Sequence, residues 1–119
     1  MGYKFYNANA LGRFDEDCTI RSISCAIGRS WDYVYDVLSD EAQKRGTMMD
    51  NSNFIQEYLD ENYYRIPYVE GKVGEISAMF PNNVLLITMK GHIVCSKYGV
   101  IYDTFDCRGR EAEYVWLVK

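Results

Sequence analysis

Cys18 is the residue whose type and position most directly suggest chemistry. The segment from Asp17 to Gly28 predicts a short helix, because isoleucines recur in it every three or four residues, at Ile20, Ile23 and Ile27. Asp17 is a favoured N-cap residue, and Gly28 is typical of a helix end. Cys18 then lies on the first turn, where free backbone N–H groups and the helix dipole favour the nucleophilic thiolate. The alternative is a small buried cysteine of the core.

His92 is the only histidine, and it follows Gly91 at the start of a predicted strand. If Tyr98-Gly99 is a two-residue hairpin loop, His92 and Asp103 share one face of the sheet as diagonal neighbours. A carboxylate there can fix the imidazole tautomer and stabilise the imidazolium. A loop one residue longer would bring Asp106 opposite His92 instead. Of the two aspartates we expect Asp103 to hold the ring, although a lone histidine is more often an ordinary surface or core residue.

The chain's four cysteines and its histidine raise the possibility of a zinc site. Zinc ligands usually come in close pairs, two to four residues apart, and the chain has no Cys-x-x-Cys pair. Cys18 and Cys25 are two helical turns apart, and His92 and Cys95 point to opposite faces of a strand. We therefore expect no metal site. The chain also lacks a nucleophile-elbow serine, a phosphate loop and a dinucleotide fingerprint, and so we expect no cofactor.

Composition narrows the class of protein. The 119 residues fit one domain, 1–119, and 48% of them are hydrophobic, as in an ordinary globular protein. The net charge of −4, with no basic patch, argues against nucleic-acid binding. No apolar run approaches the roughly 18 residues of a membrane span, and no signal peptide is visible. We therefore expect no membrane partner, a cytoplasmic location and reduced cysteines. The oligomeric state is left open.

The order of the predicted elements indicates an α+β fold. Helical spacing gives way to strand-like runs at Asn82, which predicts N-terminal helices packed on a C-terminal antiparallel sheet. After the first helix we expect helices at 31–45, 53–61 and 73–80. We expect strands at 84–89, 92–96, 100–105 and 112–118, and a short strand or extended arm within residues 1–16.

The arrangement resembles the papain-like cysteine peptidases over about residues 3–118. In that family a cysteine opens the first helix, Gly-His begins a later strand, and an aspartate follows on the next strand. The chain looks most like the small single-domain members of phages and bacteria, and it is similar to peptidase domains that process double-glycine leader peptides. The matching segments are Tyr6-Asn7-Ala8-Asn9, Asp17-Cys18 with Arg21, Ser30-Trp31 with Val34-Tyr35, Gly91-His92 and Tyr102-Asp103-Thr104-Phe105-Asp106.

The resemblance implies a cysteine-dependent hydrolase of peptide or amide bonds. Cys18 would be the nucleophile, His92 the base and Asp103 the residue that orients His92. The family places an oxyanion-hole glutamine several residues before the cysteine. This chain has none there, so Asn9 or Asn7 would substitute, together with the Cys18 N–H.

The expected partner is a peptide or protein substrate, or a small ligand, in a cleft between Cys18 and His92, whose side chains should lie within about 4–5 Å. Two other functions stay open. One is a catalytically weak or inactive binding module of the same fold, phage-encoded, that captures a host protein or small ligand. The other is a structural or interaction protein.

Overall fold

A computed structural model describes residues 2–9, 11–13 and 16–119 and gives an α+β domain. Its described helices are α1 (Cys18–Ile27), α2 (Trp31–Lys44), α3 (Ser52–Asn62) and α4 (Val73–Met79). Its described strands are β1 (Tyr3–Phe5), β2 (Tyr64–Arg65), β3 (Val84–Met89), β4 (His92–Lys97), β5 (Val100–Asp103) and β6 (Tyr114–Leu117). Within these ranges, no helix has the length and apolar character needed to cross a membrane.

Local cap chemistry explains the starts of α2 and α3 and the end of α1. Ser30 caps α2 by accepting the Tyr33 N–H, and Asn51 caps α3 by accepting the Phe54 N–H. Gly28 ends α1 in the left-handed conformation, with φ 69°. Asp17 occupies the N-cap position of α1, as predicted, but its side chain makes no capping hydrogen bond. That carboxylate is used elsewhere, in the candidate site.

The six strands form one mixed sheet in the order β1-β5-β4-β3-β6-β2. The pairs among β3, β4, β5 and β6 are antiparallel, as predicted. The sheet as a whole is mixed, because β1, which lies outside the predicted C-terminal strands, pairs with β5 in parallel. Parallel neighbours need a long connection, and here the helices and strands between β1 and β5 provide it. The two-residue β2 adds an antiparallel strand at the other edge.

The hairpin between β4 and β5 sets the register that positions the site. Tyr98 and Gly99 form its two-residue loop, with φ values of 54° and 82°, and Lys97 pairs with Val100. Both loop residues thus have the positive φ of a type I′ turn. Tyr98 adopts this conformation although tyrosine is not favoured there. The predicted loop length is therefore confirmed.

The core lies on both faces of the sheet. Along β3, alternate residues join two separate apolar clusters: Val84 and Leu86 pack with α1, α2 and α3, whereas Leu85 and Ile87 pack with α4. Burial on both faces explains why β3 reads as an unbroken apolar run rather than an alternating one. Helix α1 is completely enclosed along most of its length, since residues 20–26 are all buried.

The end of α1 gives a stability test. A Cβ added at Gly28 would meet no atom within 4 Å, so Gly28→Ala adds only the strain of a left-handed backbone. We expect Gly28→Ala to lower the free energy of unfolding by about 1 kcal/mol, measured by urea denaturation. Gly109→Ala is the matched control, because Gly109 is exposed and has no positive φ. Equal stability of the two variants would contradict the role given to Gly28.

Candidate active site

Cys18 and His92 come together where the first residue of α1 meets the first residue of β4. Cys18 and His92 line the same two cavities. Hydrogen bonding from the His92 imidazole and from the Ile93 backbone lowers the pKa of the Cys18 thiol. Cys18 is only partly buried, whereas the other three cysteines are buried. Helix α1 packs along β4, so this contact follows directly from the docking of one element on the other.

Asp103 holds the other side of the His92 ring. The distance from His92 Nε2 to Asp103 Oδ2 is 2.6 Å, and the Asp103 side chain is only 1% exposed. Because Nε2 faces Asp103, Nδ1 is the ring nitrogen left for Cys18. Asp106 lies apart from the ring and is exposed, with its carboxylate bound to Arg108. Between the two aspartates, the structure thus places the one chosen from the predicted register beside His92.

The Phe105 ring closes the outer side of the imidazole. Its centroid lies 4.9 Å from that of His92, at an interplanar angle of 35°. The guanidinium of Arg110 also lies over the Phe105 ring, 5.7 Å from the ring centroid. The position of the His92 ring is therefore limited by an aromatic face as well as by the Asp103 carboxylate.

Arg21 supports the aspartate from within α1. Its Nη2 donates to Asp103 Oδ1 at 2.9 Å, and its Nη1 donates to Asp17 Oδ1 at 2.5 Å. The other Asp17 oxygen accepts the indole N–H of Trp31 at 2.8 Å. Arg21, Asp17 and Asp103 are all buried, so each charge is paired where water cannot solvate it. Arg21 was part of the resemblance, but its link to Asp103 was not predicted.

Electrostatics favours a thiolate–imidazolium pair. Burial raises the pKa of Cys18, but the hydrogen bonds from His92 and the Ile93 backbone outweigh it and hold that pKa below its ordinary value. Burial likewise lowers the pKa of His92, but the hydrogen bonds and charges of Asp103 and Cys18 raise it to about 9. Burial of Asp103 opposes ionisation, yet the contact with His92 keeps its pKa below the usual range. The lowered pKa of Cys18 shifts its thiol toward the nucleophilic thiolate form.

Cys107 is a neighbour of the site that the sequence reasoning missed. Its thiol donates to Asp103 Oδ2 across 3.7 Å, and burial together with the Asp103 charge raises the pKa of Cys107 to about 12. It therefore stays protonated as a donor to the carboxylate. Ligand atoms of His92, Asp103 and Cys107 lie within 4.8 Å of one another, which is compact enough for a metal. Both Asp103 oxygens already bind Arg21 or His92, and the expected absence of a metal stays a prediction.

The expected oxyanion residues Asn7 and Asn9 are engaged within their own loop. Asn7 Nδ2 donates to the Arg13 carbonyl, and its Oδ1 accepts the Asn9 N–H. Asn9 Oδ1 accepts the Leu11 N–H. Among the described residues, neither asparagine lines a cavity that reaches Cys18. Their oxyanion role stays a prediction that these contacts do not support.

Backbone donors are present at the start of α1. The first hydrogen bond of the helix runs from the Arg21 N–H to the Asp17 carbonyl, 2.8 Å away. The N–H groups that precede it, including those of Cys18 and Thr19, have no partner of their own within the helix. They lie at the positive end of the α1 dipole, beside the Cys18 thiol. An oxyanion formed at Cys18 would meet donors there.

Two cavities flank the Cys18–His92 pair. The first has a volume of about 260 Å³ and extends from the pair to α3 and the start of β6. The second has a volume of about 280 Å³ and lies against Arg21, Thr104 and Phe105. A substrate segment could therefore pass over Cys18 with groups on both sides. Gln56 is the one side-chain amide among the described residues that line either cavity, and it lies in the first.

Comparison with known proteins finds no family model that matches this chain and no matching relative among the curated proteins or the solved structures.

The single histidine allows a direct test of its link to Asp103. In an NMR titration, the pKa of His92 should lie near 9, and Asp103→Asn should lower it, because one of the two groups that stabilise the imidazolium is gone while burial remains. Asp106→Asn is the control, since Asp106 is bound to Arg108, and it should leave the titration unchanged. A His92 pKa that does not move in Asp103→Asn would contradict the assignment.

Proposed function

We propose that this chain is a papain-like cysteine hydrolase that cleaves peptide or amide bonds. The observation that carries the proposal is the connected set Cys18–His92–Asp103, partly exposed at Cys18 and open to two cavities. Three side chains from α1, β4 and β5 supply a nucleophile, a proton carrier and an orienting carboxylate in the order that such chemistry needs.

The proposed reaction begins with a thiolate and an imidazolium. Cys18 Sγ attacks the substrate carbonyl carbon and forms a C–S bond, while the carbonyl π electrons move to oxygen. As the tetrahedral intermediate collapses, the C–N bond breaks and His92 Nδ1 gives its proton to the leaving amine. The remaining thioester is attacked by water, which gives one proton to His92. The C–S bond then breaks, which releases the acid and restores the ion pair.

Charge that develops on the substrate oxygen needs donors. The N–H groups of Cys18 and Thr19 offer two, and Gln56 offers a side-chain amide within the same cavity. Gln56 comes from α3, far from the position before the nucleophile where the family carries its glutamine. The proposal thus assigns the oxyanion role to the start of α1 with Gln56, in place of Asn7 and Asn9.

Thiol alkylation tests the proposed nucleophile. At pH 6–7, iodoacetamide should modify Cys18 at least about tenfold faster than Cys25, Cys95 or Cys107, because only Cys18 combines exposure with a lowered pKa. His92→Ala should slow Cys18 labelling at this pH and restore it at higher pH, since the thiol then ionises near its ordinary pKa. The measurement is peptide mass spectrometry over time. Equally slow labelling of all four cysteines would overturn the proposal in favour of a binding or structural protein.

Two probes separate the oxyanion role from thiol reactivity. Gln56→Met should slow acyl transfer from p-nitrophenyl acetate to Cys18 by about 10²-fold, because one oxyanion donor is lost. It should leave alkylation by iodoacetamide unchanged, since that displacement forms no oxyanion. Gln43→Met, at an exposed position of α2, is the matched control. Equal effects of Gln56→Met on the two reactions, or no effect on either, would exclude Gln56 from the role.

A further inference from the structure

We infer that the 260 Å³ cavity beside Cys18 selects a long aliphatic side chain with a positive charge at its end, as in lysine or arginine. The inference rests on the proposed function and concerns the residue that the substrate presents next to the cleaved bond. It comes from how apolar and acidic groups are distributed around that cavity.

The inner wall of the cavity is apolar. Met89 and Ile93 line it from β3 and β4, and they are 2% and 4% exposed. Ile55 lines it from α3. Such a wall favours the methylene stem of a side chain, because each buried CH₂ is worth about 0.8 kcal/mol. The lining also includes polar side chains, those of Thr19, Ser52, Gln56 and Thr88.

The rim of the cavity is acidic on several sides. Asp50 precedes α3 and Glu113 precedes β6, and both are exposed. Glu16, before α1, also contributes to the lining. Among the described residues of this lining there is no lysine or arginine. In the part of the chain that the structure describes, neither Asp50 nor Glu113 forms an ion pair, so their charges act on whatever enters.

An apolar wall with an acidic rim fits an amphipathic cation. Lysine and arginine bury their stems and keep the charged end where carboxylates and water solvate it. A neutral aliphatic side chain would gain only the burial of its stem, and an acidic side chain would be repelled by the carboxylates at the rim. A protonated His92 does not cancel the charge of these carboxylates, because its Nε2 is paired with Asp103 Oδ2 at 2.6 Å.

The second cavity has a different character. Its lining includes Arg21, Thr104 and Phe105, and of the three carboxylates that line the first cavity it shares only Glu16. Arg21 is neutralised there by two carboxylates. The preference for a cation therefore applies to the side of Cys18 that faces α3, and a substrate would carry its basic residue on that side only.

Charged thiol reagents test the field at Cys18 without a known substrate. The two reagents are 2-aminoethyl and 2-sulfonatoethyl methanethiosulfonate, and the measured quantity is the ratio of their rates of reaction with Cys18 at low salt. Asp50→Asn and Glu113→Gln should each lower this cation-to-anion ratio severalfold, because each removes one unit charge from the lining of the cavity that Cys18 also lines. The control Glu70→Gln removes an exposed carboxylate that lines neither cavity, and it should leave the ratio unchanged.

Protection of Cys18 from iodoacetamide tests the cavity itself. The n-pentylammonium ion should protect at about five- to tenfold lower concentration than n-pentanol of the same length. The double variant Asp50→Asn with Glu113→Gln should remove most of this difference, because Glu16 is then the one carboxylate left among the described lining residues.

The outcomes separate the two proposals. Equal protection by n-pentylammonium and n-pentanol would overturn the cation preference and leave the hydrolase proposal standing. A cation-to-anion rate ratio that is unchanged in Asp50→Asn and Glu113→Gln would do the same. A Cys18 that reacts with neither reagent nor iodoacetamide would instead overturn the hydrolase proposal.

Discussion

The guanidinium of Arg21, shared between the buried carboxylates of Asp17 and Asp103, is the interaction on which the rest of the site depends. Removal of one member of such a group would leave a charge without a partner in the interior, which costs about 3–5 kcal/mol in proteins where it has been measured. The contacts of this group also join elements: Asp17 reaches Trp31 on α2, and Arg21 reaches Asp103 on β5. The docking of α1 and the position of the aspartate beside His92 are thus fixed by the same bonds.

Much of the fold could be predicted because its signals are local. The helix starts at Ser30 and Asn51 depend on neighbouring residues, and β3 is visible as an apolar run. The parallel pairing of β1 could not be predicted, because three residues carry no information about a partner about a hundred positions away. The two-residue β2 is too short to differ from a loop. Which strands pair at the sheet edges depends on where the packed helices place the ends of the segments between them. That placement is set by tertiary packing and not by local sequence.

The candidate site shows the same division. His92 and Asp103 could be related from the sequence, because the length of the Tyr98-Gly99 loop fixes which residues share a face. Cys18 stood out through its place at a helix start. The partners of Arg21, and Cys107 as a donor to Asp103, could not be predicted, because both depend on side chains that meet through tertiary packing. Asp17 was expected to cap α1, and the burial of Arg21 beside it redirected its carboxylate.

The sharing of Arg21 also bears on the charge of the proposed nucleophile. If Arg21 faced Asp103 alone, it would neutralise most of that carboxylate and weaken its hold on the His92 proton. Because Arg21 also pairs with Asp17, its positive charge offsets less of the charge of Asp103. The Asp103 carboxylate can therefore stabilise the protonated form of His92, whose pKa lies near 9. A protonated His92 in turn lowers the pKa of Cys18. The charge state of the Cys18 thiol is therefore coupled to Asp17 through His92, Asp103 and Arg21. Asp17 in turn accepts the indole N–H of Trp31.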